Sequence, residues 1–240
     1  EMIAAVLGST FRVAKTPANH NNDIGMPMAI LAMPADTQVA VLEMGMNHFR
    51  EIAYLSEIAQ PNVAVIINIG TMHIEHLGTR EGILKAKLEI MEGIRDDGVA
   101  VFNGDEPLLW NLREGTHRRI YFGIENDQCD VVAEDLRQID GGVYFTVRGL
   151  DQKFQIFVPQ EGRHMVYNAL AAVAAAWVLG IPAEFVSAGL ASFTGADRRM
   201  QFKGKFNGAD VYDDYAHHPG ELNATIDAVR SMGYKRMILA

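Results

Sequence analysis

Val63-Ala64-Val65-Ile66-Ile67-Asn68-Ile69-Gly70 is the stretch whose reading decides the fold. It is an almost unbroken apolar run, closed in front by Pro61 and behind by Gly70. A strand with one wet face alternates apolar and polar residues; a continuous run means both faces are covered, which is the habit of parallel strands. Two more runs have this character. Val39-Ala40-Val41-Leu42 leads into Glu43, and Val99-Ala100-Val101-Phe102 leads into Asn103. Helical patterns separate them, over 24–33, 50–59 and 80–93. Alternating buried strands and helices predict an α/β fold, with a mostly parallel sheet flanked by helices.

Working outward, residues 1–8 read as a helix stopped by Gly8, and Phe11–Lys15 as a short strand. Thr16–Asp23 is a polar loop of turn-forming residues. After residue 120 the texture becomes strand-like. Val143–Val147 and Phe154–Val158 alternate on either side of Gly149, which predicts a small antiparallel portion. Arg163–Leu179 is an alanine-rich helix, and Ala183–Ala191 a shorter one. A boundary falls near 195–204, giving units over 1–198 and 199–240. The second begins a βαβ pattern: a strand at Ala209–Tyr212, a helix at Gly220–Met232 and a strand at Arg236–Leu239.

The chain has 240 residues, 49% hydrophobic and 21% charged, ordinary values for a folded protein. Its longest apolar run, Ala169–Leu179, is far short of the ~20 residues a membrane helix needs, so no membrane insertion is expected. A net charge of −9 disfavours a broad nucleic-acid surface. The one cysteine, Cys129, excludes an internal disulfide and fits a reducing, cytoplasmic compartment. The chain opens on Glu1-Met2-Ile3 with neither an initiator Met nor a signal pattern, and reads as an internal piece of a longer protein.

Several residues could carry chemistry. Glu43 ends a buried strand, at the sheet edge where open α/β folds bind ligands. It either holds Mg²⁺ or caps a neighbouring helix. His73 follows the next strand and comes to the same edge, as a metal ligand or a hydrogen-bonded loop residue. The spacing His73-x-Glu75-His76 is not that of a standard zinc motif. Lys87 sits three or four residues from Ile83, Leu84 and Met91, so it touches the apolar stripe of its helix. It either snorkels to water or is partly buried with a lowered pKa. A neutral lysine amine can take up CO₂ to become a carbamate, a cation-binding carboxylate. Asp213-Asp214-Tyr215-Ala216-His217-His218-Pro219 is a polar loop suited either to metal or phosphate work or to capping the next helix.

The ordered words of the chain tie these together. They are Thr16-Pro17-Ala18-Asn19-His20-Asn21-Asn22-Asp23, Leu42-Glu43-Met44-Gly45-Met46-Asn47, Gly70-Thr71-Met72-His73-Ile74-Glu75-His76-Leu77-Gly78, Lys85-Ala86-Lys87-Leu88-Glu89, Asn103-Gly104-Asp105-Glu106-Pro107, Gly162-Arg163-His164 and Asn168-Ala169-Leu170. In this order, over nearly the whole chain, they resemble the ATP-dependent Mur ligases of peptidoglycan synthesis. The resemblance implies a three-domain protein, of which this chain holds most of the central ATPase domain and the start of a Rossmann-like C-terminal domain. It implies amide formation through an acyl phosphate, with ATP and Mg²⁺ as cofactors. Glu43, His73 and Lys87 would be catalytic and metal-binding, Lys87 as a carbamylated lysine. Asn168 would contact adenine, Arg199 the phosphates and Asp214 the ribose, with Asn19, Asn22 and Asp23 near the substrate. The implied partners are a UDP-N-acetylmuramoyl-peptide and D-alanyl-D-alanine, and the implied intact protein is a monomer.

Three features depart from the family pattern. No Gly-x-x-Gly-Lys-Thr/Ser phosphate loop occurs in these residues, so the chain by itself is expected to be inactive. Met165 stands where the family usually has Asn. Residues 197–219 resemble the members that add L-alanine to UDP-N-acetylmuramate, whereas the first hundred resemble those that add D-alanyl-D-alanine to the tripeptide. Another ligase of the superfamily, such as a folylpolyglutamate synthetase, and a nucleotide-binding or interaction module without ligase activity remain the alternatives.

Overall fold

The computed structural model describes residues 1–217 and 219–240. Its first half runs α1 (Met2–Leu7), β1 (Val13–Lys15), α2 (Gly25–Leu31), β2 (Val39–Val41), α3 (Glu51–Ala59), β3 (Val63–Ile66), α4 (Ile74–Leu77), α5 (Arg80–Leu88), β4 (Val99–Asn103) and α6 (Pro107–Trp110). There follow β5 (Arg118–Gly123), β6 (Val131–Ile139), β7 (Gly142–Gly149), β8 (Gln152–Val158), α7 (Arg163–Val178), α8 (Ala183–Ala191), β9 (Gln201–Phe206), β10 (Ala209–Asp213) and α9 (Pro219–Ser231).

The main sheet has six strands in the order β3-β4-β5-β6-β7-β8. β3 to β6 are parallel, and β6, β7 and β8 run antiparallel. β1 and β2 form a separate parallel pair, with Val13 opposite Val39. The period of two in a strand sorts side chains to opposite faces. Along β4, Val99 and Val101 enter one core, while Ala100 and Phe102 enter the other. On β5, Ile120 and Phe122 go one way and Tyr121 the other. Both faces of β4 and β5 are therefore covered, as their apolar runs require, whereas β2, expected as another buried strand of the sheet, pairs with β1 outside it and leaves Ala40 exposed. α7 covers the first face. Its Val166 and Ala169–Ala176 are buried, and the small alanine side chains let the helix lie close on the strands. α1 and α8 pack beside it. α5 and α6 cover the second face with Ile83, Ala86 and Leu109.

Three expectations need correction. The helix expected over 80–93 ends at Leu88 and continues as one tighter turn, Glu89–Glu92. The cause is Glu89, which is buried and accepts from the backbone N–H groups of Arg50 (2.7 Å) and Ala53 (3.3 Å), serving the first turn of α3. Gly93 then lies against the backbone of Ser56, where a Cβ would stand 2.1 Å from the Ser56 carbonyl carbon. Secondly, β10 does not open a βαβ unit; it closes an antiparallel hairpin with β9. The turn is Asn207-Gly208, both at positive φ (48° and 83°), the pair favoured in tight hairpins. Thirdly, Arg236–Leu239 is not a strand. A strand needs a hydrogen-bonded neighbour, and Ile238 and Leu239 are exposed. The short helices α4 and α6 were not expected. No helix among the described residues is long and apolar enough to cross a membrane.

Candidate active site

The ends of β2 and β3 carry the first two candidate residues. Beyond β2, the backbone N–H of Glu43 donates to Thr16 Oγ1 at 2.8 Å, and the N–H of Thr16 donates to the Val41 carbonyl at 3.0 Å. The polar loop 16–23 is thereby laced to the strand end. Glu43 is exposed, and its Oε1 accepts from Asn21 Nδ2 at 2.7 Å. The Gly45 N–H donates back to the Asn21 carbonyl at 2.8 Å, and the Asn21 side chain packs against Gly45. Asn21 is thus the loop residue that touches Glu43. The three expected residues take other places. Asn22 Oδ1 accepts from Gly25 N–H at 2.7 Å and Ile24 N–H at 3.3 Å, which caps the start of α2. Asn19 and Asp23 are exposed on the loop. Nothing in the run Asn19-His20-Asn21-Asn22 marks which asparagine reaches the carboxylate.

His73 lies beyond β3, half-buried, with φ at +61°, and its carbonyl starts α4 by accepting from His76 N–H (3.0 Å) and Leu77 N–H (3.1 Å). Lys87 comes from α5 toward the same segment. Its Nζ donates to the Asn68 carbonyl at 3.1 Å. Burial lowers the Lys87 pKa from its usual 10.5, so more of the amine is neutral at a given pH. Lys85, two positions away, is exposed beside the Phe49 ring. The loop after β2 and helix α4 after β3 touch through the rings of His48 and His76, 4.7 Å apart. Glu43 thus follows β2, His73 follows β3, and Lys87 reaches from α5 to the Asn68 carbonyl just past β3. Among the described residues, no group of three or more His, Cys, Asp and Glu side chains is arranged as a preformed metal cluster.

A second group lies at the start of α7. Asp105, just past β4, accepts from the N–H groups of Ile124 (2.7 Å), Glu125 (3.0 Å) and Asn126 (2.8 Å), and from Tyr167 Oη–H (2.9 Å). Burial alone would raise its pKa, but these donors outweigh burial and hold it below the usual value. Burial and the Asp105 carboxylate push the Tyr167 hydroxyl up to about 12. Asp105 therefore moors α7, and with it the neighbouring Asn168, to the strand ends. Sequence reasoning found Asn168 but missed Asp105 and Tyr167 as its supports. The half-buried Asn168 amide faces Met165 Sδ at 3.9 Å, a weak acceptor.

Asp214 follows β10. Its Oδ2 accepts from Met200 N–H at 2.7 Å; its Oδ1 accepts from Ala216 N–H (2.9 Å) and Thr225 Oγ1 (3.0 Å). A carboxylate offers about four lone-pair sites, so three are engaged. Burial lowers the His164 pKa from its usual 6.5, and the Asp214 charge opposes this only in part. Arg199 is exposed, 4.0 Å from Glu221 Oε1. His217 Nδ1 lies 2.7 Å from the Tyr215 carbonyl; His218 is outside the described residues. Burial pushes the Cys129 thiol up to about 12, so it is not a poised nucleophile.

A mostly parallel α/β sheet with its polar side chains gathered at the carboxyl ends of the strands defines a protein that handles its ligands at that edge. Comparison with known proteins supplies the rest. Residues 1–176 match the Mur ligase middle domain, and residues 198–240 match the Mur ligase glutamate ligase domain. The chain belongs to the Mur ligase family. It is 42% identical, over its whole length, to the UDP-N-acetylmuramoyl-tripeptide–D-alanyl-D-alanine ligase of Bacillus subtilis, and covers 52% of that protein. A crystal structure of MurF from Acinetobacter baumannii superposes with a TM-score of 0.88 at 34% identity, covering 95% of this chain and 50% of that one. MurF from Thermotoga maritima in complex with ADP superposes with a TM-score of 0.84 at 29% identity, covering 96% of this chain and 53% of that one. The chain spans about half the length of the curated relatives it matches.

Proposed function

We propose that the intact protein is an ATP-dependent ligase of peptidoglycan precursor synthesis, joining D-alanyl-D-alanine to a UDP-N-acetylmuramoyl-tripeptide in the cytoplasm. The observation that carries this is the 42% identity to a ligase of that specificity over an alignment spanning the whole chain. A second reading, addition of L-alanine to UDP-N-acetylmuramate, rests on the stretch Asp213–Pro219, which resembles that branch of the family.

The residues present suit Mg²⁺ and ATP. The donor set is an exposed carboxylate, an imidazole and a lysine whose burial favours its neutral form. When bound, magnesium ATP supplies a transferable phosphoryl group and the positive charge that offsets phosphate repulsion. Glu43 would offer a carboxylate oxygen oriented by Asn21, and His73 its imidazole. Lys87 would act as a carbamate: the neutral amine adds to CO₂, a C–N bond forms and one proton leaves. The nitrogen keeps one N–H, which the Asn68 carbonyl is placed to accept.

Asn168 would hold adenine from α7, Arg199 the phosphates, and Asp214 the ribose through its remaining acceptor site. Arg199 would exchange its distant Glu221 partner for phosphate. Asn19, Asn22 and Asp23 would line the approach of the acyl substrate, with Asn22 acting through the start of α2. Positioning and charge stabilisation are what this reaction requires of a protein.

The test uses the intact protein with ATP and Mg²⁺, reading phosphate release. Turnover with the UDP-muramoyl-tripeptide and D-alanyl-D-alanine supports the proposal. Turnover only with UDP-N-acetylmuramate and L-alanine selects the second reading. ¹³C NMR after exposure to labelled bicarbonate should give one carbamate signal that Lys87→Ala removes.

A further inference from the structure

Arg80 occupies a place that helix energetics do not explain. It is the first residue of α5, where the helix dipole disfavours a cation. Its guanidinium turns away from its own helix. Nε and Nη2 both donate to the Ile69 carbonyl, at 3.2 and 2.8 Å. Nη2 also donates to both oxygens of Glu106, at 2.8 and 2.7 Å. Glu106 is only 11% exposed and in turn accepts from Leu108 N–H at the start of α6. One side chain therefore joins the end of β3, the start of α5 and the β4–α6 connection.

What lies between these anchors is the segment that carries His73. It begins at Gly70 and ends at Gly78, and at both positions a Cβ would meet nothing within 4 Å. Gly78 has a φ of +79° and His73 a φ of +61°. The segment thus has open space at both glycines, while Ile69 just before it and Leu77 within it are buried. The same helix that begins with Arg80 carries Lys87 about two turns further on. The clamp accordingly sets where the His73 loop stands relative to Lys87.

We infer that Arg80 is a positioning residue: by pinning the Ile69 carbonyl to Glu106, it fixes the 70–78 loop so that His73 and Lys87 address the same magnesium-binding space. The magnesium part of this inference rests on the ligase reading above; the clamp itself does not. The fork geometry matters, because guanidinium serves a carbonyl and a carboxylate at once, which an ammonium does less well.

The experiment compares the intact wild-type protein with Arg80→Met and Arg80→Lys by amide hydrogen exchange, thermal melting and magnesium titration of activity. Exchange in residues 70–78 should rise about tenfold or more in Arg80→Met while residues 81–88 stay protected. The magnesium concentration for half-maximal turnover should rise about tenfold, with the KM for the amine substrate unchanged and Arg80→Lys intermediate. Unchanged exchange at 70–78 overturns the inference. So does a uniform rise in exchange over the whole middle of the chain, with a lowered melting temperature in both variants and unaltered magnesium dependence, because that is a merely structural role. If wild type shows no turnover with any of the substrates named above, the ligase reading fails; the exchange comparison then still decides the clamp.

Discussion

Replacing Asp105 with Asn tests the central anchor of the site. Asp105 accepts four hydrogen bonds, three from consecutive backbone N–H groups and one from Tyr167. An amide in its place keeps one acceptor oxygen and turns an NH₂ toward at least one backbone N–H. Hydrogen bonds to a charged group contribute about 1.5–3 kcal/mol each. Losing one or two at this half-buried position, with the survivors weakened, should cost about 3 kcal/mol. At about 2–4 °C per kcal/mol for a chain of this size, melting should fall by about 6–12 °C. Both tryptophans, Trp110 and Trp177, lie in the part of the chain built on the six-stranded sheet, so their fluorescence in urea reads the unfolding of that part. The sign with pH is also set. The Asp105 pKa is depressed in the fold, so its contribution is present above the unfolded value near 3.8 and is lost as pH falls through the folded pKa. The gap between wild type and Asp105→Asn should therefore narrow in acid. A difference below about 1 kcal/mol at pH 7, or a gap that does not narrow on acidification, would refute this reasoning.

Three further outcomes follow from the same geometry. Glu89→Gln turns an amide NH₂ toward the N–H of Arg50 or Ala53 in a buried setting, and should lose about 2–3 kcal/mol in urea melts. Gly93→Ala puts a Cβ within 2.1 Å of the Ser56 backbone, and should cost about 3 kcal/mol or more on the same measurement, with wild-type stability counting against the packing described. Lys87 has a folded pKa below the 10.5 of an unperturbed lysine, so its proton penalises folding below that folded pKa and the penalty lifts as pH rises toward 10.5. The stability advantage of Lys87→Met over wild type should shrink from pH 7 to pH 10 in chemical denaturation; a constant advantage would contradict the burial of the amine.

Legibility followed the range of the interactions. The strand at Val99–Asn103 and the helix at Ala183–Ala191 were read to the residue, because period and flanking breakers are local properties of the chain. The Asn207-Gly208 hairpin was equally local and was missed, although the dipeptide is its signature. The helix from Arg80 could not be bounded from its own residues. Its end depends on Glu89 reaching the start of α3, 39 positions away from Arg50 in sequence. The strand expected at Arg236–Leu239 had the right composition, yet composition cannot provide a hydrogen-bonded neighbour.

The site divides in the same way. The sequence alone put Glu43 and His73 just after parallel strands and marked Lys87 as a lysine touching an apolar stripe, but it expected one sheet where the strands before Glu43 and His73 belong to two. Only the tertiary structure decided that Asn21 rather than Asn19, Asn22 or Asp23 holds Glu43, that Asp105 and Tyr167 moor the helix of Asn168, and that Arg80 ties Ile69 to Glu106. Periodicity reports which face a residue occupies. It carries no information about which distant backbone carbonyl or carboxylate that face will meet, because those partners are chosen by how the strands order themselves in the sheet.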